Sequence, residues 1–232
     1  LFDAALAASP TAIALSFGDA SEWIGKAKAA GAKVICQVQT HDDADTAVAA
    51  GADALVAQGT EAGGHTGTMT LLPFLAAVVS RHPDVPVLAA GGIADGRTLA
   101  AALTAGADGA WLGTAFLATP EAVEVGDEHK RRIVESDGTD TIFTRAYDII
   151  SGAPWPATIG ARLRRDDFTD EWAGREDDLR ARKDEVKAAA EPYYYGQSAA
   201  FVDAVRPAAD VLRTVCGDAE TILRTRPQAL LT

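Results

Sequence analysis

The chain has 232 residues, 48% of them hydrophobic and 23% charged, and its 33 acidic against 21 basic side chains leave a formal net charge of −12. Such an acidic balance argues against a nucleic-acid partner, which calls for a basic face. No stretch approaches the roughly 20 apolar residues of a membrane span, and two cysteines, Cys36 and Cys216, are too few for a disulfide framework and fit no metal spacing, which points to a reducing cytoplasm.

From the amino end, Leu1 opens in what reads as the end of a helix, with no basic segment before an apolar run as a secretory signal would have. A first strand is predicted over Ala12–Phe17 and a helix over Ala20–Ala30. Gly31-Ala-Lys-Val-Ile then begins a unit that recurs as Gly51-Ala-Asp-Ala-Leu and Gly106-Ala-Asp-Gly-Ala. Each copy follows an Ala-rich amphipathic stretch and precedes an apolar run. The glycine is therefore read as a left-handed helix stop and the run as a buried strand. Strands follow over Lys33–Gln37, Ala54–Gln58, Val87–Ala90 and Gly109–Leu112. A helix over Ala44–Ala50 is opened by His41, Asp42, Asp43 and Asp45, whose acidic members suit a helix start. Helix–Gly–strand repeats imply right-handed crossovers and a parallel sheet, with compact units that suit a barrel more than an open sheet.

Beyond Pro120 the composition changes. Residues 121–150 mix charge with β-branched side chains, and Pro154-Trp155-Pro156 breaks regular structure. Asp166–Ala190 is charged and helical in pattern, a solvated face, and residues 197–224 read as a helix pair interrupted at Pro207. The division expected is residues 1–120 as barrel and 121–232 as a helical appendage packed on it and closing the active site.

Ligands of parallel sheets bind at the carboxyl ends of strands, and three of the five predicted strand ends carry glycine-rich turns. Ala90-Gly91-Gly92-Ile93-Ala94-Asp95-Gly96 runs from a strand into a helix, so its glycines allow close backbone approach and its free N–H groups suit an anion. Trp111-Leu112-Gly113-Thr114 ends the next strand with the same logic plus a hydroxyl. Two such turns in succession predict a phosphate site. Gln58-Gly59-Thr60-Glu61-Ala62-Gly63-Gly64-His65-Thr66-Gly67 follows the third strand and sets a histidine, able to titrate near neutrality, in a tightly folded loop. His65 is thus the candidate catalytic group, with Glu61 expected to orient the loop. His41, His82 and His129 have no such setting and are expected on the surface.

In that order, AQGTEAGGHTG, AAGGIADG and LGTAF resemble the nitronate monooxygenase family, formerly called 2-nitropropane dioxygenases. The resemblance is close over about residues 11–120 and extends to Tyr195-Gly196-Gln197-Ser198. It implies an FMN-dependent TIM barrel that oxidises alkyl nitronates with molecular oxygen to a carbonyl compound and nitrite. It further implies that Gln58, Gly63 and Gly64 contact FMN, and that Gly91, Gly92 and the turn Trp111, Leu112, Gly113, Thr114 bind its phosphate end. His65 matches the family's base, and Gln197 and Ser198 fall where a lid over the substrate is expected. Two positions depart from the pattern: Trp111 stands where many members have Gln, and Gln37 where some have Lys. A complete barrel has eight strands and five are counted, so the expectation is the last five βα units of a (β/α)8 barrel, without the first three strands. A homodimer is a further expectation. The alternatives are an FMN-dependent enoyl-[acyl-carrier-protein] reductase, which shares the EAGGH-type loop, and a non-catalytic barrel remnant that keeps its glycine turns for folding.

Overall fold

A computed structural model of the chain describes residues 1–188 and 191–231. Ala189 and Ala190, the end of the charged stretch, and Thr232, the end of the predicted appendage, lie outside the described residues. Strands occur, in chain order, at β1 (Ala12–Ser16), β2 (Lys33–Val38), β3 (Ala54–Gln58), β4 (Gly64–Thr66), β5 (Val87–Ala90), β6 (Gly109–Trp111), β7 (Thr141–Thr144) and β8 (Gly160–Arg164). The chain divides into two units: Leu1–Gly59, Met69–Ala90 and Ala101–Trp111 make the first, and Thr60–Thr68, Gly91–Ala100 and Leu112–Thr232 the second.

The first unit is built on a parallel sheet in the order β1-β2-β3-β5-β6. Its five strands are those predicted. β1 stops one residue early because Phe17 turns to a left-handed φ of 64°, and β6 ends at Trp111. Helices α1 (Phe2–Ala7), α2 (Ser21–Ala29), α3 (His41–Ala49) and α4 (Leu71–Arg81) accompany it. Leu71, Phe74, Leu75 and Val78 of α4 recur at i, i+3, i+4 and i+7 and are all buried. Leu55, Val56 and Ala57 of β3 are buried on both faces, as a covered parallel strand requires. At the sheet edge, no residue of β1 is fully buried.

The Gly-Ala repeat explains how the strands find their register. Gly31, Gly51 and Gly106 have φ of 85°, 93° and 104°. Each N–H, and that of the following alanine, reaches back into the preceding helix: Gly51 to Val48 and Ala52 to Ala47, at 2.9 and 3.0 Å. These are paired left-handed helix stops. In the second and third copies the third residue, an aspartate, then clamps the neighbouring strand. Asp53 N–H donates to Val34 O at 2.8 Å while its carboxylate accepts from Val34 N–H at 2.9 Å. Asp108 does the same to Val87, at 2.8 Å in both directions.

The second unit departs from the prediction of a helical appendage. After α5 (Gly96–Thr104) and α6 (Thr114–Leu117) come α7 (Asp127–Glu135), α8 (Ala146–Ser151), α9 (Asp167–Trp172), α10 (Glu176–Ala181) and α11 (Ala208–Leu231). Strands β7 and β8 lie between them and form an antiparallel sheet in the order β4-β8-β7. Four- and five-residue strands leave too little alternation to read, and β4 comes from almost 100 residues upstream of β8. The charged stretch holds two short helices on either side of Gly174, and residues 197–224 are a 3-10 turn (Gln197–Phe201) followed by α11, which begins just after Pro207 and continues past Pro227.

Candidate functional site

Second-unit backbone explains the first glycine loop. Thr60 O is held at 2.6 Å by Nε of Arg162, a buried residue of β8 whose Nη1 also reaches Thr141 Oγ1. Burial pushes its guanidinium pKa down, opposed by the charge of Glu61. Glu61 O accepts from Gln197 N–H at 3.0 Å, so Glu61 anchors the loop through its backbone as well. Gly63 lies against Tyr195-Gly196: a Cβ on Gly63 would stand 2.5 Å from Gly196 N, and one on Gly196 would stand 2.5 Å from Glu61 O. Gly196 N–H donates to Thr114 Oγ1 at 2.9 Å. The Tyr195-Gly196-Gln197-Ser198 motif therefore ties the first glycine loop to the third. Ser198 is buried within this turn and Gln197 projects outward.

Gly64 takes φ 76° and leads into β4, where His65 pairs with Ala161. The imidazole Nε2 lies 2.9 Å from Asp148 Oδ1 on α8. Its ring stacks on the Trp155 indole, with centroids 4.0 Å apart and planes 24° from parallel. The Tyr194 ring is 6.5 Å away; burial pushes its phenol pKa up, reinforced by Asp148 and Glu191. Sequence reasoning missed Asp148 and Trp155. A carboxylate between Tyr147 and Ile149 on an otherwise buried helix was the available signal for Asp148, whereas Trp155 was legible only as part of a Pro-flanked break.

Gly91 and Gly92 take left-handed φ of 101° and 70°, and a Cβ on Gly92 would meet Glu61 Cβ at 3.4 Å. Among the described residues the N–H groups of Gly91, Gly92 and Gly113 donate to no protein atom, and a Cβ on Gly113 would meet nothing within 4 Å. β5 and β6 pair Ala90 with Trp111, so these two turns leave adjacent strand ends. Free backbone donors on glycine turns suit a bound anion. Leu112 is half-buried, and the Thr114 oxygen is engaged by Gly196.

Gln58 and Trp111 end β3 and β6 of the first unit. Gln58 is buried, and its Oε1 accepts from Gln39 Nε2 at 2.8 Å. The Trp111 indole is 42% exposed. Gln37 and the buried Cys36, whose thiol pKa is pushed up by burial, line a small cavity past the ends of β1 and β2. The remaining histidines correct the expectation of surface positions. His41 packs on Phe74, His82 lies 2.9 Å from Asp45, and His129 bonds Tyr194 O at 3.0 Å. Each fills a half-buried gap that its neighbours in sequence do not reveal.

The family model for nitronate monooxygenase matches residues 3–163. A putative monooxygenase of Mycobacterium tuberculosis is 45% identical over 124 residues, 53% of this chain and 30% of the relative. A probable nitronate monooxygenase of Staphylococcus aureus is 40% identical over 146 residues, 57% of this chain and 40% of the relative. The matched stretch thus covers only 30% and 40% of the length of these curated relatives. Among solved structures, a nitroalkane oxidase from Streptomyces ansochromogenes is 31% identical with TM-score 0.75, covering 97% of this chain and 69% of its own. FabK from Thermotoga maritima is 28% identical with TM-score 0.83, covering 98% and 74%. No helix among the described residues is long and apolar enough to cross a membrane.

Proposed function

The chain belongs to the nitronate monooxygenase family, and on that premise we propose that it carries the flavin-binding half of an enzyme that oxidises alkyl nitronates with molecular oxygen to a carbonyl compound and nitrite. The sheet, parallel and in chain order, is then the last five strands of a (β/α)8 barrel, with residues 121–232 as its appendage. FMN is the flavin that Gly91, Gly92 and Gly113 would hold by its phosphate, with Gly63, Gly64, Leu112 and Thr114 of the same unit around it and Gln197 and Ser198 over the substrate. When bound, the flavin supplies the electron transfer.

The chain's own contribution centres on His65. The observation that carries the proposal is an imidazole on a glycine loop, stacked on Trp155 and bonded to a buried carboxylate. With a neutral nitroalkane, the C–H bond α to the nitro group breaks, its electron pair moves into the nitro group, and the proton passes to His65. A preformed nitronate needs no such step. His65→Asn should therefore lower turnover of neutral nitroalkanes by about 10²–10⁴-fold and spare nitronates. Equal losses on both substrates would remove the base assignment. The likeness to FabK is compatible with the alternative, reduction of an enoyl thioester by NAD(P)H through the same flavin. Steady-state NADH oxidation with and without a crotonyl thioester separates the two.

A further inference from the structure

Asp148 is among the most buried charged groups described, with its side chain 8% exposed. One carboxylate oxygen meets His65 Nε2 and the other, Oδ2, has no hydrogen-bond partner among the described residues. A buried carboxylate with half its acceptor capacity unmet is a poor stabilising device. Its backbone carbonyl, by contrast, is well used, accepting from Ala153 N–H and Ser151 Oγ. The helix turn is thus satisfied without the side chain, and the side chain's described contact is the imidazole.

We propose that Asp148 is a positioning residue that fixes which nitrogen of His65 can accept a proton. This rests on the proposed role of His65 as base. A carboxylate only accepts hydrogen bonds, so Nε2 must donate, and in the neutral ring the lone pair is then on Nδ1. Trp155 supplies the second constraint. Its ring covers one imidazole face, and its carbonyl is held by Arg145 Nη2 at 3.1 Å, between Pro154 and Pro156. Turning the ring so that Nε2 leaves Asp148 must break that bond and unstack the indole on the way, so the orientation is held from two sides. Nδ1 of His65 is the atom that takes the nitroalkane α-proton.

The test is the ring ¹⁵N spectrum of the 232-residue chain, with His65 assigned by comparison with His65→Gln. At a pH where the ring is neutral, the parent should show the Nε2–H form. Asp148→Asn can turn its amide to donate to Nε2, so the Nδ1–H form should grow in, and Asp148→Glu should restore Nε2–H. A parent in the Nδ1–H form overturns the proposal, as does an Asp148→Asn protein with an unchanged tautomer. In activity, Asp148→Asn should lower kcat/KM for a neutral nitroalkane by about 10²-fold and cost nothing further in a His65→Gln background. An additive loss there would make Asp148 merely structural. A parent with the expected tautomer that oxidises NADH with a crotonyl thioester and not a nitroalkane would sink the proposed function and leave the pairing intact.

Discussion

Alanine at position 63 and alanine at position 64 each add one methyl group to neighbouring glycines of the same loop, yet they should act through different physics. Gly63 has an ordinary backbone conformation, so its variant suffers only from crowding: the new Cβ would stand 2.5–2.6 Å from three backbone atoms of Tyr195 and Gly196. Ordinary contact begins near 3.4 Å, so the two segments must part by about 0.9 Å. Overpacking of that kind costs about 1–3 kcal/mol, and weakening the bond from Gln197 N–H to Glu61 O adds about 1 kcal/mol. At about 2–4 °C per kcal/mol for a chain of this size, Gly63→Ala should melt about 5–15 °C lower. Gly64 is the reverse case, with φ 76° and nothing within 4 Å of a Cβ. Its variant carries only left-handed strain, about 1–2 kcal/mol, and should lose about 2–8 °C. Because a shift of about 1 Å in a positioned group can cost 10²-fold in rate, Gly63→Ala should also damage nitroalkane turnover more. Thermal unfolding followed by circular dichroism, with turnover on the same preparations, checks both. A Gly63→Ala protein as stable as its parent, or less affected than Gly64→Ala, would refute the backbone contact.

Thr114→Val removes the acceptor for Gly196 N–H at nearly constant shape and should cost about 1–3 kcal/mol, with Thr114→Ser close to neutral in urea unfolding. The Val34 N–H bond, helped by Lys33, holds the Asp53 carboxyl at about 2, below its ordinary 3.8. A depressed folded value stabilises above the unfolded pKa and is lost as pH falls through the folded one. The gap in unfolding free energy between the parent and Asp53→Ala, about 2 kcal/mol at pH 6, should therefore close between pH 4 and 2; a constant gap would contradict the clamp. Gly92→Val combines a left-handed φ with contact on Glu61 and should purify with little flavin. A variant as yellow as its parent would place the phosphate elsewhere.

The parallel sheet was legible because each strand is short, apolar and announced by the same glycine stop, a signal contained within about five residues. The small antiparallel sheet was not, since His65 and Ala161 are brought opposite each other by the fold and nothing local in either strand specifies the partner. The same divide runs through the site. His65 and the glycine turns sit in dense local motifs. Asp148, Trp155 and Arg162 lie 83–102 residues from the groups they touch, in segments whose composition suggests only a helix, a break and a strand. Gly63 shows a third case. It was chosen as a flavin contact by resemblance, while the structure gives it a steric reason for being glycine that no sequence pattern carries.

The aspartate clamps at the strand starts have a consequence for how much change the opposite strand ends can absorb. Asp53 and Asp108 count residues: each fixes one strand against its neighbour at the amino end, through two bonds to a single residue. Alignment of the sheet is thereby settled before the chain reaches any glycine loop. The loops after β3, β5 and β6 are relieved of that duty, and their lengths and residues are free to be set by what they bind. Insertions or exchanges there should alter chemistry while leaving the strands in step, whereas one residue added between Asp53 and Ala54 would move the whole of β3 by one position and exchange the side chains on its two buried faces.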